Sequence, residues 1–127
     1  MSRVLLVALG GALGSVARYG VGVAAPRVLG TAFPWGTLMV NLLGSFLIAL
    51  VMHLALTTAA ISPSARLFLT TGVMGGFTTY STFNYETLAL VGDRLWGVAA
   101  LSVGVTVLGC LVAGVLGQAL GRAMAGG

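Results

Sequence analysis

Apolar residues run along this chain in four blocks, at about 4–24, 34–57, 66–91 and 96–120. A helix of about twenty residues crosses a hydrocarbon core about 30 Å thick, so each block predicts one membrane span. The separators carry turn chemistry: Pro26-Arg27 and Gly30 through Pro34, then Ser62-Pro63-Ser64 with Arg66, then Gly92-Asp93-Arg94. The third block is interrupted. Its run Gly75-Gly76-Phe77-Thr78-Thr79-Tyr80-Ser81-Thr82-Phe83 puts glycines, hydroxyls and aromatics at membrane depth. Backbone leaves its helix inside hydrocarbon only where protein or a water-filled cavity satisfies the freed amides and carbonyls. The run is therefore expected to line a site, with a glycine break followed by a half-helix.

Polar residues inside the blocks recur at a spacing of four, which places them on one helix face. The second block has Thr37, Asn41 and Ser45, the third Thr78, Thr82 and Glu86, the fourth Ser102, Thr106 and Cys110. A single intramembrane Ser or Thr often just bonds its own backbone four residues back. Three stripes, one with an Asn and one with a Glu, point instead to an ion or substrate path. Tyr80 and Phe83 share a face of the half-helix. Aromatic rims are electropositive, so a small anion can rest against them while the Asn41 amide donates from its NH₂.

Composition settles the class. Of 127 residues, 58% are hydrophobic and 6% charged, whereas a soluble domain carries about a quarter charged residues. The expectation is an all-α membrane protein in one four-span domain, 1–127. The first block also has the outline of a signal sequence, with Arg3 ahead of it and Val23-Ala24-Ala25 as a small-residue cleavage site. Its length and the internal Arg18 favour a span.

The net charge of +4 comes from isolated arginines at 3, 18, 27, 66, 94 and 122, with no clustered basic face for nucleic acid. Cys110 has no partner, which leaves disulfides and thiolate metal sites unsupported. Four spans put both termini on one side, so Arg3, Arg66 and Arg122 face one compartment, and Arg27 and Arg94 the other. Basic residues on the cytoplasmic side orient a membrane protein, and three against two is nearly balanced. That balance predicts insertion in both orientations.

Small residues recur three or four apart: Gly10, Gly14 and Ala17 in the first span, and Gly104, Gly109, Ala113, Gly114, Gly117 and Gly121 in the fourth. Such spacing lets helices approach closely in lipid. Four short helices are also few to enclose a permeation path, and self-association is expected.

Three segments are similar to signature motifs of the Fluc (CrcB) family of fluoride channels. They are Gly10-Gly11-Ala12-Leu13-Gly14-Ser15-Val16-Ala17-Arg18-Tyr19, Gly36-Thr37-Leu38-Met39-Val40-Asn41-Leu42-Leu43-Gly44-Ser45-Phe46, and Thr71 through Phe83. The resemblance covers three of four spans in order. It implies passive, fluoride-selective export across the cell (inner) membrane by an antiparallel, dual-topology homodimer with two pores, and no enzyme activity. Asn41 would be a pore-lining donor, Tyr80 and Phe83 an aromatic box, and Ser81 and Thr82 hydroxyl contributors. Thr37, Glu86, Ser102 and Thr106 complete the expected pore set. The resemblance further implies a sodium ion at the dimer centre, held by backbone carbonyls of Gly75 and Thr78. Arg18 matches the motif arginine, and a structural clamp is the expected role. The family usually has Phe where this chain has Tyr80, and Cys110 ends a stripe where a hydroxyl is expected.

Two other classes compete. A small dual-topology multidrug or cation exporter uses a membrane-embedded Glu in its first span, whereas the one Glu here is Glu86 in the third. A non-transporting anchor or assembly subunit would leave the stripes and the break without purpose.

Overall fold

The computed structural model describes residues 1–126, and among them every regular element is helical. The chain runs through α1 (Arg3–Leu29), α2 (Trp35–Thr57), α3 (Pro63–Leu67), a π-helical segment Phe68–Met74, α4 (Gly75–Phe77), α5 (Tyr80–Gly92) and α6 (Trp96–Met124). Helices α1, α2 and α6 are each long and apolar enough to cross a membrane. The third crossing is split: α3, the π-helical segment and α4 form one half and α5 the other, with Thr78 and Thr79 extended between them. This is a multi-pass membrane protein.

Helix ends follow local chemistry. Ser2 caps α1 by accepting from the Leu5 amide, Ser62 caps α3 by accepting from Ala65, and Thr79 caps α5 by accepting from Thr82. Pro26-Arg27 does not turn the chain. Helix α1 continues through Pro26 to Leu29, and the turn comes at Gly30, whose φ of 83° is open to glycine. The α5–α6 turn passes through Arg94 at φ 60°, held as the Arg94 and Leu95 amides donate to Val91 and Leu90 carbonyls. A left-handed residue with a Cβ costs about 1–2 kcal/mol. Arg94→Gly is therefore expected to raise the detergent melting temperature slightly, and a lowered one would show that the arginine side chain stabilises this turn.

Two seams hold the molecule. Helix α1 runs alongside the first half of the third crossing, and α2 alongside α6. In the first seam, a Cβ on Gly76 would sit 2.5 Å from the Gly11 carbonyl oxygen, and one on Gly10 2.6 Å from that of Phe68. In the second, Gly117 abuts the Phe46 carbonyl, and a Cβ on Gly121 would lie 3.0 Å from the His53 ring. Backbone approach of this kind is how helices associate without a hydrophobic driving force. Gly104 and Gly114 behave differently: nothing lies within 4 Å of a Cβ at either, so they do not pack within the subunit.

The glycine pair Gly75-Gly76 is not the break that its composition suggests. Both residues are helical, and the helix ends only at Thr78, with ψ 158°. Gly76 serves closeness to α1 rather than conformational freedom.

Candidate functional site

The break is made by side chains that replace the missing helical hydrogen bonds. The Thr79 amide donates to Asn41 Oδ1 at 2.9 Å, and Asn41 Nδ2 donates to the Thr79 carbonyl at 3.0 Å. One amide thus satisfies both backbone groups of the residue where the helix stops, as burial in a membrane requires. On the other side, Arg18 Nε donates to the Gly76 carbonyl at 3.0 Å, tying α1 to the last turn before the break. Gly44 on α2 leaves room for the Thr78 methyl group, which a Cβ there would overlap.

Two cavities flank this knot. The first, about 770 Å³, is lined by Asn41, Ser45, Tyr80, Phe83, Thr106 and Cys110 among others. The second, about 530 Å³, is lined by Arg18, Thr37, Thr82 and Glu86 with the α1–α2 turn. Thr79 walls both. The α2 stripe therefore divides, with Thr37 in the second cavity and Asn41 and Ser45 in the first.

The third stripe does not survive as read. Spacing by four from Thr78 to Thr82 presumes a continuous helix, and the extended residues 78 and 79 break the period. Thr78 lines the first cavity, whereas Thr82 and Glu86 line the second. The Thr78 hydroxyl is also committed, donating to the Met74 carbonyl at 2.9 Å. Ser81 is exposed and lines neither cavity. Ser102 lines neither as well, being only 2% exposed, while Thr106 of the same stripe is buried and reaches the first cavity.

Tyr80 and Phe83 meet edge-on, with ring centroids 5.9 Å apart and planes at 68°. Phe83 is half-buried, but Tyr80 is 78% exposed and no residue of α5 is buried. Glu86 Oε1 is buried without a hydrogen-bond partner, in the cavity that Arg18 also lines. Asn41 as a two-sided clamp is the feature that sequence reasoning missed. The signal was an amide side chain on the neighbouring span, near the depth where the helix breaks, but its partner was not readable from spacing.

The gap between α4 and α5 also frees carbonyls. The Thr79 amide, which would bond the Gly75 oxygen in a continuous helix, is taken by Asn41, and the Thr82 amide, due to Thr78, is taken by the Thr79 hydroxyl. Gly75 and Thr78 thus keep carbonyl oxygens without helical partners, suitable donors for a hard cation.

The CrcB-like protein family (camphor resistance, CrcB) matches residues 5–118. A protein of Anaeromyxobacter sp. (strain K) named fluoride-specific ion channel FluC is 56% identical over 126 residues, covering 99% of this chain and 100% of its own. Proteins of the same name from Thermus thermophilus and Sorangium cellulosum are 54% and 46% identical. They cover 99% and 100% of this chain and 100% of their own lengths. With a family match across nearly its whole length and relatives of this identity, the chain belongs to the CrcB-like family.

Proposed function

We propose that this chain is the subunit of a fluoride-specific channel that exports fluoride passively across the cell inner membrane and catalyses no reaction. The observation that carries the reading from the geometry is the Asn41 amide at the break. An NH₂ group has two hydrogens to donate, and one of Asn41's is committed to Thr79. The other is available beside the first cavity, which Asn41 lines next to the Thr79 wall shared with the second. Full-length likeness to proteins named fluoride channels supplies the identity of the ion.

Conduction needs binding firm enough to admit the ion and weak enough to release it. Asn41, the rim of Phe83 and the hydroxyls of Thr82, Thr37 and Thr106 are neutral donors or weak positive edges, so none of them traps an anion. Arg18 is the one arginine among the residues lining these two cavities, and its Nε is held on Gly76. Fluoride dehydrates at high cost, and closely spaced donors replace its water in small steps. The expected outcome is fluoride efflux from liposomes of the purified protein with very little chloride efflux from the same preparation. Comparable chloride flux would sink the reading. Phe83→Ile keeps apolar bulk but removes the electropositive rim, and is expected to cut fluoride flux at least about tenfold, the effect of 1.4 kcal/mol; full activity would make the ring edge dispensable.

The functional unit is read as an antiparallel homodimer. The exposed Tyr80, the unburied α5 and the free faces at Gly104 and Gly114 support an interface, and the balanced arginines support insertion both ways. A C-terminal tag is expected to be labelled from each side of the membrane in separate molecules, and a single orientation throughout would contradict it. A sodium ion at the dimer centre fits the carbonyls of Gly75 and Thr78, two oxygens per subunit, as a structural counter-charge between the halves. The exporter reading lacks its first-span acid: α1 contains no Asp or Glu.

A further inference from the structure

A third cavity, about 460 Å³, lies beyond the first and is lined by Arg3, Arg66, Ser64 and Leu67 together with Met52, Thr70 and Thr71. Those last three residues also wall the first cavity, where Asn41 and Phe83 sit. Among the described residues no acidic side chain lines this basin. The chain has two acids: Glu86 lines the second cavity, and Asp93 caps α5 at the opposite end of the molecule. Among the described residues no salt bridge forms, and Arg18 is the arginine whose side chain donates a hydrogen bond within the protein.

We propose that Arg3 and Arg66 form an anion-concentrating vestibule, a basin at the N-terminal end of the subunit that raises the local fluoride concentration and hands the ion past Thr70 and Thr71 to the cavity at Asn41. The inference rests on the fluoride-channel reading and extends it to residues outside the three signature segments. Uncompensated positive charge in a cleft draws anions in and raises their rate of capture. A position at the end of a span, where the ion is still hydrated, suits this role better than a coordinating one. A lipid phosphate is the other anion available at that depth. It is disfavoured because the basin's inner wall is shared with the pore cavity, so a headgroup seated there would stand in the ion's way.

The test is single-channel fluoride conductance in planar bilayers, with fluoride held constant and impermeant ions setting the ionic strength. Wild type, the double variant Arg3→Gln/Arg66→Gln and Arg122→Gln are compared. Arg122 lies in the last turn of α6 at the same end of the molecule but outside the basin, so it controls for general surface charge. Two unit charges about 10 Å from the ion change its local concentration about three- to fourfold in water. At about 10 mM ionic strength, where the screening length is about 30 Å, the double variant is expected to conduct about three- to fourfold less than wild type. At about 1 M, where it is about 3 Å, the two are expected to be equal, and Arg122→Gln is expected to match wild type throughout. Equal conductance at low salt overturns the proposal. So does a deficit that persists at high salt, which marks a packing role, or one seen in bilayers rich in phosphatidylglycerol and lost in neutral ones, which marks a headgroup site. Failure of the pore reading is separate, since it appears as normal conduction by Asn41→Asp with wild-type arginines.

Discussion

Asn41→Asp is expected to lower fluoride flux by about two to three orders of magnitude in protein that still folds. The carboxylate can still accept from the Thr79 amide, as Oδ1 does at 2.9 Å, so half of the clamp survives. The other half reverses. Nδ2 donates to the Thr79 carbonyl at 3.0 Å, and an oxygen in its place faces that carbonyl without a proton between them. Losing that bond costs about 1–3 kcal/mol of stability. The greater effect falls on the ion, because a negative charge about 4 Å from a passing anion at an effective dielectric near 20 raises the barrier by about 4 kcal/mol. Each 1.4 kcal/mol is about tenfold. Liposome efflux from a monodisperse variant measures it, with the melting temperature taken on the same sample. Unchanged efflux would remove Asn41 from the path and leave it only the clamp.

The parts of this molecule legible in sequence are those carried by periodicity and composition. Four apolar blocks produce an all-helical membrane chain, and the polar run in the third block marks an interruption. The position of that interruption was not legible. Gly75-Gly76 signals a break and a close helix contact equally well, and only the approach of Gly11 to Gly76 decides for contact. The break at Thr78 and Thr79 is instead satisfied by Asn41, 38 residues away, a partner that no local pattern encodes. Reading Thr78, Thr82 and Glu86 as one stripe failed for the same reason, since a helical period means nothing across extended residues. The Asn41 face of α2 was visible because α2 is unbroken from Trp35 to Thr57.

Gly14→Ala is expected to be the most destabilising single methyl group in the chain. The added Cβ would run into the Val73 carbonyl oxygen and lie 2.9 Å from the Phe77 amide nitrogen. Both are backbone atoms of a helix, so no rotamer change relieves the overlap and α1 must move away from the third crossing. Overpacking of this kind costs about 1–3 kcal/mol and more where nothing can yield. The displacement also draws Arg18, one turn further along α1, from its 3.0 Å bond to the Gly76 carbonyl, loosening the turn that the break depends on. Gly20→Ala, on the same helix, meets nothing within 4 Å and replaces a poor helix former with the best one, a gain of up to about 1 kcal/mol. The two substitutions are therefore expected to shift the detergent melting temperature in opposite directions, with fluoride efflux lost in Gly14→Ala and kept in Gly20→Ala. Equal melting temperatures would mean that the α1 seam tolerates a wider spacing than its glycines suggest. Loss of efflux in Gly14→Ala with an unchanged melting temperature would place the effect on the Arg18 clamp rather than on the seam.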